Sequence, residues 1–372
     1  MMKKDKLLFA NLTAKETFLE QGRIFFSILN TFSHSGYKIF LLKNDTIFNS
    51  GKYGDLTFSL QNLSVIDSKP EAPENYTFLF DYVDKQLNKL PWGKKINLKY
   101  DIYSPYWLKH PIIMPFPVHP LQEVQGSLAK LPELRNTQRQ FQILFAGDSN
   151  NYKRKWVNYP QEKLSRLEII DTIKEKLSSK LIVVDDEKSY TTTMNTQNLD
   201  KFVLIDNEQQ RLDSHIWLDT LAKSNFFLCP PGIIMSMCHN LVEAMAVGCI
   251  PITNYPEWFH PNLKHGVNCI VFSDENDMLE QINSIFSMSE EEINLMKRNA
   301  IEYYESYLKK EAFIKEIEED SNKSQTVLYF TERYVFKNNK KLNKHSILMR
   351  DTSIPAKKTG IKYQLNRLLE SI

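Results

Sequence analysis

Short apolar runs alternate with amphipathic stretches along most of this chain. Residues 6–12 (KLLFANL) and 37–43 (YKIFLLK) have the length and apolar density of buried strands. Between them, Phe18, Ile24, Phe25, Ile28, Leu29 and Phe32 recur at helical spacing over 16–34. Strand, helix, strand is the signature of a parallel sheet. Further strand-like runs lie at 76–81 and 112–116, and a second series opens at 141–147 (FQILFAG). That series continues with a helix at 165–177, strands at 180–186 and 201–206, and helices at 215–224 and 289–318. Between 104 and 132 stand Pro105, Pro111, Pro115, Pro117, Pro120 and Pro132, a density that predicts a crossing between domains rather than regular structure. The pattern predicts an α/β protein of two doubly wound, Rossmann-like domains facing a cleft. The first covers 1–120, a linker 121–140, the second 141–320, and a tail 321–372 has the option of packing back on the first.

The segment 226–253, FFLCPPGIIMSMCHNLVEAMAVGCIPIT, reads as a buried strand, a Pro-Gly turn, a helix from near Ser236 and a second buried strand. Ser236, Asn240 and Glu243 fall on one face of that otherwise apolar helix. The stripe begins where free backbone N–H groups favour phosphate and ends at Glu243, roughly 10 Å deeper by helical rise. That is about the span from a pyrophosphate to the hydroxyls of its ribose, so the segment reads as a nucleotide site.

Bulk properties narrow the classes. A chain of 372 residues suits two domains, and a formal charge of +2 gives no reason to expect nucleic acid as a partner. Basic residues gather around Lys337 to Lys344 and Lys357 to Lys362, read first as a solvated tail and second as a peripheral contact with anionic membrane or glycan. Cys229, Cys238, Cys249 and Cys269 form no CxxC pair and read as buried thiols of a reducing compartment. No apolar run reaches the length of a membrane span, and a cytoplasmic protein is expected.

The second series resembles the donor-binding half of two-domain GT-B glycosyltransferases, most closely exostosin-type enzymes. Three features carry the resemblance: ILFAG at 143–147 with a basic loop after it, FFLCPPG at 226–232, and Ser236 followed by LVEAMAVGCIPI at 241–252. The match covers roughly 140–275. It implies a nucleotide-sugar donor, UDP-linked in preference to GDP- or CMP-linked, and a glycan or glycolipid acceptor. Stabilising the leaving diphosphate then falls to helix N-termini and cations, with no metal motif evident. Donor-binding candidates are Gly147, Arg154, Lys155, Arg166, Gly232, Ser236, Met237, Asn240 and Glu243. Arg154 leads for phosphate because a guanidinium binds two oxygens at once, and Glu243 would accept from the ribose hydroxyls.

The chain also departs from family patterns. Many retaining enzymes carry an acid eight residues before the position of Glu243, where this chain has Met235. An inverting reaction is therefore preferred, with Glu16 and Glu20 after the first strand as general-base candidates. Exostosin-like enzymes commonly place an arginine shortly after the serine, where Met237 to Asn240 stand here. His260-Pro261 is similar to the His-Pro pair of some CMP-sugar transferases. The expectation is a metal-independent glycosyltransferase, with a Lys-, Asn- and Ile-rich composition that would suit surface polysaccharide synthesis. Its alternatives are a sugar-nucleotide epimerase or hydrolase and a non-catalytic nucleotide- or glycan-binding protein.

Overall fold

A computed structural model describes residues 5–100, 112–148, 163–232, 236–330 and Ile361. The chain divides into two compact units. One comprises 1–115 with 309–338 and 343–372, the other 116–308 with 339–342.

The first unit is built on a seven-stranded sheet. Its strands are β1 (Lys6–Asn11), β2 (Tyr37–Leu42), β3 (Leu63–Ile66), β4 (Tyr76–Phe80), β5 (Lys94–Lys99), β6 (Ile112–Ile113) and β13 (Ser324–Leu328). They run in the order β3-β2-β1-β4-β5-β13-β6 with every pair parallel. Ile24, Phe25, Ile28, Leu29 and Phe32 of the helix Leu19–His34 pack on one face with Ile314 and Ile317 of the helix Lys310–Glu319. Phe9, Phe78, Phe80 and Trp92 form a smaller cluster.

The second unit carries six parallel strands. They are β7 (Phe141–Gly147), β8 (Leu181–Val184), β9 (Asn198–Asp206), β10 (Ser224–Leu228), β11 (Ile250–Thr253) and β12 (Ile270–Val271). Their order is β12-β11-β10-β7-β9-β8. β7 is buried along its whole length, as a central parallel strand should be. In each sheet the winding direction reverses at the first strand, beside β4 in one case and β10 in the other. The loops beyond the carboxyl ends there are where such sheets bind ligands.

The chain is divided differently from the sequence reading. The segment read as a linker, 121–140, holds the helices Pro120–Val124 and Leu131–Leu134 and belongs to the second unit. Pro120 and Pro132 lie in first helical turns, where a missing N–H costs nothing. The single helix expected over 289–318 is three pieces: Glu290–Tyr303, a π-helical turn Tyr304–Leu308, and Lys310–Glu319. Lys309 is extended (ψ 139°), and the unit boundary falls there. β3 and β5 do not read as apolar runs because polar residues interrupt them, Ser64 in one and Lys95, Asn97 and Lys99 in the other.

Candidate functional site

The helix after β10 runs from His239 to Ala246 and not from Ser236. Two prolines and Gly232 keep the approach irregular, and the Gly232 N–H donates to the Ser236 carbonyl at 3.1 Å, closing a loop before the helix. Ser236 and Met237 are both buried in that loop. The first helical residues are thus His239 and Asn240, and Cys238 caps the helix with no side-chain hydrogen bond to it.

Glu243 is fully buried, and its oxygens receive two N–H donors. The His119 backbone N–H reaches Oε1 at 2.7 Å, and the Trp217 indole N–H reaches Oε2 at 2.6 Å. Burial pushes its carboxyl up to about 7, against the opposing pull of these two hydrogen bonds, with a smaller upward push from Glu123. His119 is positioned by Pro120, which starts the next helix, and its Nδ1 accepts from the Leu121 N–H at 3.2 Å. His239 packs edge-on against His119, ring centres 5.4 Å apart, and its Nδ1 lies 2.7 Å from the Pro117 carbonyl.

A pocket of about 510 Å³ opens against this group. Its wall includes Glu243, Asn240, His119, Trp217, Gln122 and Arg211, and it continues along 207–214, the loop after β9. The volume lies in the range of small-molecule sites. Asn240 and Glu243 are the two sequence-derived candidates on its wall. Asn240 Nδ2 also lies 3.4 Å from the Ala146 carbonyl at the end of β7.

A second cluster gathers Arg166, Gly147 and Cys238. Arg166 opens the helix Arg166–Lys176 and is buried. Its guanidinium donates to the Asp148 carbonyl at 3.1 Å, the Pro231 carbonyl at 3.3 Å and Cys238 Sγ at 3.3 Å. A Cβ at Gly147 would sit 3.8 Å from Arg166 Nη1, so the strand end and the cation are adjacent. Arg166 is a tie between three loops as much as a candidate phosphate contact. Gly232 joins the same loop through its bond to Ser236. Arg154 and Lys155, like Lys153, Met235 and the basic residues of 337–344 and 357–362, lie outside the described residues.

In the first unit Glu16 sits half-buried in the 3-10 turn Lys15–Phe18. Glu20 begins three residues of left-handed backbone, with φ 55° at Glu20, 57° at Gln21 and 79° at Gly22. Burial raises the Glu20 carboxyl, and Arg23, 3.5 Å away, opposes that rise. His260 is half-buried, and loss of solvation pushes its imidazole down to about 4. Glu257, in the loop after β11, pairs with Lys163 at 2.6 Å.

His119, Trp217, Gln122 and the 207–214 loop were not among the predicted site residues. They reach Glu243 from elements distant in sequence, and neither period nor motif signals such a meeting. Among the described residues no group of three or more His, Cys, Asp and Glu could hold a metal ion, and no helix is long and apolar enough to cross a membrane.

Neither a family model nor a curated protein matches the sequence. Solved structures of glycosyltransferases resemble it at low similarity. One from Rickettsia africae has 10% identity over 90% of this chain and 99% of its own, with a TM-score of 0.44. HepE from Anabaena, in complex with UDP and glucose, has 11% identity over 85% and 98%, with a TM-score of 0.41. An alpha-glucosyltransferase in complex with UDP and a 13-mer DNA has 13% identity over 85% and 98%, with a TM-score of 0.39. The fold assignment rests on the two sheets themselves.

Proposed function

We propose that this protein is a glycosyltransferase that moves a sugar from a nucleotide sugar to a hydroxyl of a glycan or glycolipid. The observation that carries this reading is Glu243, a buried carboxyl on the wall of a nucleoside-sized pocket beside a reversal point of a parallel sheet. Its side chain is held by two N–H donors, and the pocket supplies the place for a ribose diol to donate to it. Asn240 accompanies it, with Gly147, Arg166, Gly232, Ser236 and Met237 toward the diphosphate and Arg154 and Lys155 as further cations. UDP is the favoured base carrier, in line with the family resemblance of 226–252.

Transfer would leave the diphosphate stabilised by cations and backbone N–H groups, without a metal ion. Glu16 or Glu20 would take the acceptor proton in an inverting displacement. The test is thermal and calorimetric titration with UDP, GDP, CMP and their sugars, followed by product analysis with and without a glycan acceptor. Binding of one nucleotide series, lost in Glu243→Ala, with sugar moved only when acceptor is present, supports the reading. Failure of every nucleotide to bind would sink it. Sugar released equally without acceptor would instead favour a hydrolase.

A further inference from the structure

The amide of Gln122 has one end satisfied and the other without a partner. Gln122 lies on the pocket wall in the helix Pro120–Val124 and is 2% exposed. Its Nε2 donates to the Ser214 carbonyl at 2.9 Å. That bond fixes the amide's orientation, because the flipped amide would set two carbonyl oxygens against each other. Oε1 therefore remains an acceptor, and among the described residues it meets no donor. A buried acceptor left unpaired costs free energy that a ligand bringing an N–H can recover.

Gln125, one turn on, provides an internal contrast. Its Nε2 donates to Ser214 Oγ at 2.8 Å, so it tethers the same loop, but it is not on the pocket wall. Both amides hold the 207–214 loop in place. Only Gln122 also borders the space.

We infer that Gln122 Oε1 reads the nucleobase, accepting an N–H from its edge, and so sets which nucleotide the pocket takes. This rests on the proposed nucleotide-sugar function. A nucleoside whose ribose meets Glu243 must set its base against the rest of the same wall, where Gln122 and the 207–214 loop stand. A fixed acceptor there discriminates among base edges by where each presents its hydrogen, since a mismatch leaves a buried polar group unpaired.

The experiment is calorimetric titration of UDP, GDP, CDP and ADP into wild type, Gln122→Met and Gln125→Met, with melting temperatures recorded for all three. Wild type should prefer one base over the poorest by about tenfold or more. Gln122→Met should flatten that ranking to within about threefold by weakening the preferred nucleotide, the poor ones changing little. Gln125→Met should keep the ranking, even if a looser loop lowers all four affinities together. A wild type that does not rank the four, or a folded Gln122→Met that ranks them as wild type does, overturns the inference and leaves the proposed function standing. If none of the four binds wild type, the proposed function fails and this inference with it.

Discussion

Each of the two sheets has a hydrogen-bonded carboxyl near its reversal point, half-buried in one and buried in the other, and the two side chains are used in opposite ways. Asp81, after β4, is saturated by one segment. It accepts from the backbone N–H groups of Thr13 at 2.8 Å and Ala14 at 3.1 Å, and from the Thr17 hydroxyl, which in turn meets Tyr100 at 2.5 Å. These donors all lie within residues 13–17 after β1, so Asp81 ties that segment to the end of β4. Glu243 accepts from only two donors, each from a distant element, and borders open space. A carboxylate saturated by one segment stabilises structure, whereas one with two donors beside a pocket is available to a ligand.

Substitutions should separate the two. The largest effect is expected from Glu243→Ala, which should weaken nucleotide binding by about 100-fold in titration, as befits loss of a charged hydrogen-bonding partner. A loss under threefold would put Glu243 on a par with Asp81 as a structural group. Asp81→Ala should instead lower stability by about 3 kcal/mol in denaturant unfolding, since it strands several donors at once. Nucleotide affinity at the second unit should stay within about twofold. Gly22→Ala should cost a comparable amount, about 2–3 kcal/mol by the same measurement. Its Cβ would lie 2.4 Å from the Ser50 carbonyl oxygen at a φ of +79°.

The pH dependence sharpens the contrast within Glu243 itself. Its folded pKa of about 7 lies above the ordinary carboxyl value of 4.5. The stabilising contribution is therefore complete at acid pH and is lost as pH rises from about 4.5 through 7, by about 3 kcal/mol. Affinity for a diol should move the other way, rising up to about tenfold per pH unit below 7, because only the ionised form accepts both hydroxyl hydrogens. Unfolding and titration series from pH 5 to 8 measure both trends. Parallel trends would remove Glu243 from ligand binding. The smallest effect is expected for Arg166→Lys. Losing the guanidinium's fan of bonds to Asp148, Pro231 and Cys238 should cost about 1–2 kcal/mol.

Much of this was legible in the residues. The strands β1, β2, β4, β7, β8 and β9 announced themselves as apolar runs, and the fold class followed from their alternation with helices. Asn240 and Glu243 could be paired from helical spacing alone. The helix start at His239 could not, because the prolines before Gly232 and the bond from Gly232 to Ser236 follow no periodicity. His119 and Trp217 were invisible as partners of Glu243, since the meeting of residues 124 and 26 positions apart is a property of the packed unit. The return of 309–330 to the first unit was equally hidden. An amphipathic helix declares that it has an apolar face, but not which sheet will cover it.

That return has a consequence for how the protein is made. β13 lies between β5 and β6, and β6 is held in the sheet through β13. A ribosome delivers β5 and β6 long before the strand that must join them, with residues 116–308 of the second unit emerging in between. The unit that starts synthesis first therefore closes its sheet last, and until then β5 offers an unpaired edge to whatever the nascent chain meets.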